Sequence, residues 1–143
     1  MNTVELKRRL EQEGCNPDGY GIGSLPGGYD GFSLLHEGDK WRVFYAERGE
    51  LAEPPLFESE SEEEACDFFF RHMMSVRQDH LVGFFRSQEK AKKLEVQLEQ
   101  HGLAPHSDSI PYGGVNDPRV RVFVVGKDIF KAKELLNTLP VQD

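Results

Sequence analysis

The spacing of apolar positions changes character along the chain. Val4, Leu6 and Leu10 form a narrow stripe in an otherwise charged segment. With Thr3 as N-cap and Gly14 as stop, they predict a helix over about Thr3–Glu13, lying on the surface of the sheet that follows. From Cys15 to Phe57 the period becomes two, punctuated by Asn16-Pro17-Asp18-Gly19, Pro26-Gly27-Gly28, Glu37-Gly38-Asp39-Lys40 and Arg48-Gly49. The strand-like runs between these turns are Tyr20–Leu25, Phe32–His36 and Trp41–Glu47. A fourth run, Leu51–Phe57, is confined by Pro54-Pro55 to an edge or an irregular connection. Loops this short predict antiparallel neighbours.

Ser61 followed by Glu64 has the spacing of a capping box, with Glu62 and Glu63 in the first turn of the helix it opens. Ala65, Phe68, Phe69, His72, Met73 and Val76 then recur at helical spacing. The second half reads as two strand-plus-helix units. His80–Phe85 leads through Ser87 into a helix with Ala91, Leu94 and Leu98 on one face. Arg119–Val125 leads into a helix with Ala132, Leu135, Leu136 and Leu139, stopped by Pro140. Lys90-Ala91-Lys92 and Lys131-Ala132-Lys133 occupy matching places in the two units, a pattern compatible with a ferredoxin-like arrangement. Between them, Leu103–Asn116 is expected as a functional or mobile loop, or as an irregular short strand around Leu103–Ile110. The fold class is therefore α+β: one domain over 1–143, with sub-halves 1–78 (an acidic αβββα half) and 79–143 (βαβα).

Composition adds one decisive detail. The formal charge of −8 is concentrated in the first half, where residues 1–78 hold 8 Lys/Arg against 16 Asp/Glu, while residues 79–143 hold 9 of each. The window 47–67 alone contains nine acids and one base, Arg48. Phosphate backbones and anionic membranes are bound by Lys and Arg, so neither a nucleic acid nor a membrane is expected as partner. A basic protein surface would be attracted. Cys15 and Cys66 stand in no disulfide or metal spacing and are expected as reduced, buried thiols. The charged start lacks an apolar signal core, and no run approaches a membrane span, which places the protein in the cytoplasm.

Candidate chemistry is sparse. Gly19-Tyr20-Gly21-Ile22-Gly23 has Pro26 where a dinucleotide loop needs its third glycine, so it reads as a flexible strand edge. The five histidines make no metal-ligand spacing, and His72 falls on the apolar face of its helix. A serine or cysteine nucleophile lacks a recognisable flanking motif. The carboxylates at 58–64 lack the glycine of a calcium loop. Neither an enzyme nor a cofactor or metal site is expected.

The order Gly38-Asp39-Lys40-Trp41-Arg42-Val43-Phe44-Tyr45-Ala46-Glu47-Arg48-Gly49, then Phe57-Glu58-Ser59-Glu60, then Glu64-Ala65-Cys66-Asp67-Phe68-Phe69, resembles small bacterial immunity proteins. These are encoded beside polymorphic or contact-dependent inhibition toxins, and they share a tryptophan strand ending in Glu-Arg-Gly and a helix beginning Glu-Ala-Cys. The resemblance covers about residues 15–75 and does not reach the second half. It implies binding to a cognate toxin domain with a basic surface. Glu47, Glu50, Glu53, Glu58, Glu60 and Glu62 are then the expected charge partners, with Tyr45 as an aromatic anchor. The rival reading is a small-molecule or nucleotide sensor, or a general adaptor, built on the C-terminal βα units.

Overall fold

Asn2, not Thr3, opens the first helix: its Oδ1 accepts the backbone N–H of Glu5 at 2.9 Å. In this computed structural model, which describes residues 1–143, that helix (α1, Thr3–Gln12) belongs to the first of two compact units, Met1–Gln78 and Asp79–Asp143. Leu6 and Leu10 are completely buried beside Cys66 and Phe69, whereas Val4 is 75% exposed. The stripe therefore faces the core and is two residues wide, so α1 is part of the core wall and does not merely rest on the sheet.

The sheet of the first unit contains β1 (Tyr20–Ile22), β2 (Asp30–Glu37), β3 (Lys40–Glu47), β4 (Glu50–Leu51) and β5 (Phe57–Ser59). β2 and β3 form an antiparallel hairpin, with Gly38 supplying the positive φ its two-residue turn needs. Arg48 and Gly49, both at positive φ, make the turn into β4, as a type I′ turn requires. β1 departs from the expected antiparallel meander, because it runs parallel to β2. Residues 23–29 carry the chain back across the sheet so closely that glycine is needed underneath. A Cβ on Gly21 would lie 2.3 Å from the carbonyl oxygens of Ser24 and Leu25, and one on Gly31 would lie 2.3 Å from that of Gly19. The expected run Leu51–Phe57 is not one strand. β4 pairs with the end of β3, the chain breaks at Pro54-Pro55, and β5 rejoins β3 opposite Trp41–Val43.

Helix α2 (Glu62–Ser75) starts at Ser61, whose Oγ accepts the N–H of Glu64. The reciprocal half of the capping box is rerouted. Ser59 Oγ donates to Glu64 Oε2 at 2.8 Å and accepts the N–H of Ser61 at 2.9 Å. α2 buries Ala65, Cys66, Phe69 and Met73 against Leu34 and Val43 of the sheet. Cys15 and Cys66 are free and buried, and burial pushes both thiols up to about 11, which leaves them unreactive at neutral pH.

The second unit contains β6 (Asp79–Phe85), α3 (Gln88–Gln100), β7 (His106–Ile110), β8 (Arg119–Val125), α4 (Asp128–Leu135) and β9 (Val141–Gln142). The strands lie in the order β7-β8-β6-β9, and Val82, Phe85, Leu94, Leu98, Val122, Val124 and Ile129 fill the core between sheet and helices. The βαββαβ sequence of elements is the ferredoxin-like one. β9, however, runs parallel to β6. The reason is local: α4 stops at Leu135, earlier than expected, and Leu136 turns extended. Leu136 and Leu139 then reach the core from an irregular return ahead of Pro140. Part of the expected loop Leu103–Asn116 is the strand β7. No helix of the chain is long and apolar enough to cross a membrane.

Candidate functional site

Alternation along β3 sends Trp41, Val43, Tyr45 and Glu47 to one face of the sheet. The first two line the core, and the last two mark where that face runs out into solvent. Cross-strand register decides what surrounds them. Asp30 of β2 stands directly opposite Glu47, and Glu50 of β4 stands opposite it on the other side. Three exposed carboxylates thus lie abreast across three strands. Asp30 Oδ1 accepts the N–H of Arg48 at 3.0 Å, but none of the three acids forms an ion pair with a side chain. Like charges directly opposite each other in a ladder repel, at a cost of roughly 0.2–1 kcal/mol per pair.

Tyr45 borders this row. It is the register partner of Phe32, with ring centroids 5.5 Å apart. Phe32 meets the His72 imidazole edge-on at 4.4 Å, and His72 and Phe57 both stack on Phe68. Tyr45 is thus the outer member of a run of five rings from β2, β3, β5 and α2, held directly by Phe32, which restricts the side-chain freedom a partner would have to freeze. Desolvation first, and then the charges of Asp30 and Glu47, raise the Tyr45 hydroxyl above its usual pKa, so it remains a neutral hydrogen-bond donor beside acids.

The other expected residues do not join this surface. Glu58 lies on the opposite face, opposite Arg42, where it accepts from Lys40 Nζ at 2.9 Å and Arg42 Nε at 2.7 Å. Those two hydrogen bonds hold its carboxyl below the usual range. Its charge is already used inside the unit. Glu53 is exposed and close enough to raise the pKa of Arg42. Glu62 Oε1 accepts the N–H of Thr3 at 3.2 Å, tying α2 to the start of α1. Glu60 is exposed and without an ion pair. Of the seven expected residues, the structure brings together Tyr45, Glu47 and Glu50, and adds Asp30. Asp30 lies outside the acidic window but could have been found by counting outward from the Gly38-Asp39 turn.

In the second unit, the sheet face away from α3 and α4 carries Phe84 and Phe123 among paired charges. Asp108 holds Arg121, and Asp117 holds Arg119 at 2.7 Å. His106 Nε2 lies 2.9 Å from Asp79 Oδ1 while its ring stacks on Phe123, and no serine or cysteine hydrogen-bonds to it. Tyr112 leans on Phe84 and on the Arg119 guanidinium. No group of three or more His, Cys, Asp or Glu side chains is arranged to hold a metal ion. The depression beneath β9 sets Phe85, Leu94, Leu136 and Val141 beside Lys90, Lys93, Gln97 and Gln142. No protein-family model, curated protein or solved structure matches the chain.

Proposed function

We propose that this chain is a binding protein of the immunity type, which neutralises a cognate toxin domain in the cytoplasm through the Asp30–Glu47–Glu50 row and Tyr45. It binds and does not catalyse. The observation that carries the reading is the row itself: three carboxylates held abreast by strand register, with no cation of their own. Their mutual repulsion is relieved when a lysine- or arginine-bearing surface docks on them. Toxins that act on nucleic acids or nucleotides need positive clefts to bind phosphate, which makes such a domain a suitable partner. Tyr45 is the aromatic residue beside the row, and tyrosine is among the residue types enriched at interface hot spots.

The test is protection. A toxin domain, which this reading expects to be encoded beside the chain, is expressed with and without it, and growth is followed. Protection by the unaltered chain and its loss with Glu47→Lys/Glu50→Lys supports the reading. Equal protection by the charge-reversed variant, folded as judged by circular dichroism, overturns the assignment of the surface.

A further inference from the structure

Among the border strands of the two sheets, β7 is the longest, and only β8 pairs with it. Its central residues Ser107, Asp108 and Ser109 are exposed, so neither a helix nor a loop covers the free side of the strand. Natural edges are commonly guarded by lysine, proline, a bulge or a covering element, because unpaired backbone groups invite another strand. Between the bracketing Pro105 and Pro111, the five residues of β7 contain no lysine, proline or bulge. Its register with β8 is unbroken from His106↔Phe123 to Ile110↔Arg119. Its single charge, Asp108, is matched by Arg121, which donates from Nε at 2.8 Å and from Nη2 to the second oxygen.

We propose that β7 is a strand-addition edge whose occupant is a second copy of this chain, paired antiparallel about a two-fold axis at Asp108. The central Ser107-Asp108-Ser109 is symmetric about Asp108, and this favours self-pairing over an unrelated strand. Ser107 then faces Ser109 of the other copy at two places, where hydroxyls can pair across the ladder. His106 faces Ile110, and every residue keeps its side of the sheet, as isologous pairing demands. At the centre, Arg121, Asp108, Asp108 and Arg121 of the two copies form a row of four charges that sums to zero. A guanidinium has five donors and spends two on its own aspartate, so donors remain for the aspartate of the other copy. Five residues a side form a small contact, so the dimer is weak and concentration-dependent.

Sedimentation velocity on the full chain from about 10 µM to about 1 mM tests this. The mass should rise from the 16.3 kDa of one chain towards twice that value. Ser107→Lys/Ser109→Lys sets like charges face to face at both ends and should abolish the rise. Arg121→Gln leaves the two aspartates opposed and should weaken association at least tenfold. Amide exchange of the unaltered chain should slow at β7 as concentration rises, which keeps the test valid if the lysine variant fails to fold. A mass of one chain throughout, or a dimer unaffected by the lysines, overturns the proposal. So does capture of another protein's strand at β7 without self-association.

Discussion

Asp30 and Glu47 face each other across the β2–β3 ladder, two carboxylates at a position where opposite charges would stabilise the sheet. Glu50 extends the repulsion across β4. If the row serves recognition at the expense of stability, neutralising its central member should stabilise the free protein. Glu47→Gln is expected to raise stability by about 0.2–1 kcal/mol, and by more at low salt, where screening is weaker. Thermal unfolding at two ionic strengths measures this, and a destabilised variant would contradict the account.

Glu58 has the opposite role, because Lys40 and Arg42 both donate to it. Glu58→Gln should lower the unfolding midpoint. Its carboxyl is depressed in the fold, so its contribution is complete above the unfolded value of 4.5 and fades as pH falls through the folded value. Urea unfolding between pH 3 and 7 should show the variant and the unaltered chain converging at the acidic end. A constant gap across the range would assign the effect to something other than ionisation.

His72 supplies a second pH signal. Its imidazole is wedged between Phe32 and Phe68, its Nε2 has no hydrogen-bond partner, and burial alone lowers its pKa from 6.5. The fold favours the neutral ring. Stability is therefore complete above 6.5 and declines as pH drops from there towards the folded value, since the unfolded chain binds the proton first. His72→Phe should flatten this decline, read as unfolding midpoint against pH. A decline that persists unchanged in the variant points to other groups.

Gly31 tests the close return of residues 23–29. Alanine there would place its Cβ 2.3 Å from the Gly19 carbonyl oxygen, so the backbone must shift, at a cost of about 1–3 kcal/mol. Gly19→Ala, which meets nothing within 4 Å, is the control and should stay within about 0.5 kcal/mol. Equal effects from the two substitutions would show that the crowding at Gly31 is not what requires glycine.

How much of this was legible in the sequence differs from residue to residue. Ser61 and Glu64 mark the start of α2 because capping chemistry is local, and Trp41–Glu47 shows its strand because β-branched and aromatic residues are concentrated between two tight turns. The sense of β1 was hidden, since a period of two is the same in parallel and antiparallel strands, and the return over residues 23–29 decides it. Leu136 and Leu139 suit a helical stripe as well as they suit an extended return, so the end of α4 was misplaced. Local charge density does not separate Glu47 and Glu50, which form no ion pair, from Glu58, which Lys40 and Arg42 hold. Whether an acid is free depends on where β5 rejoins β3, and no local pattern around Pro54-Pro55 encodes that. Asp30 was recoverable, because a two-residue turn at Gly38-Asp39 fixes Glu37 opposite Lys40 and every pair beyond it.

The central claim is that the Asp30–Glu47–Glu50 row is the surface that meets a basic partner, and association kinetics test it most directly. Binding of the unaltered chain to a basic toxin domain of the kind proposed, found by sequencing the genes beside it, is compared with that of Glu47→Lys/Glu50→Lys and of Glu60→Lys over a range of salt. The account predicts an association rate that falls with salt, a loss of at least about tenfold at low salt for the double variant, and a much smaller change for Glu60→Lys. Association that is insensitive to salt and unchanged by Glu47→Lys/Glu50→Lys would contradict it.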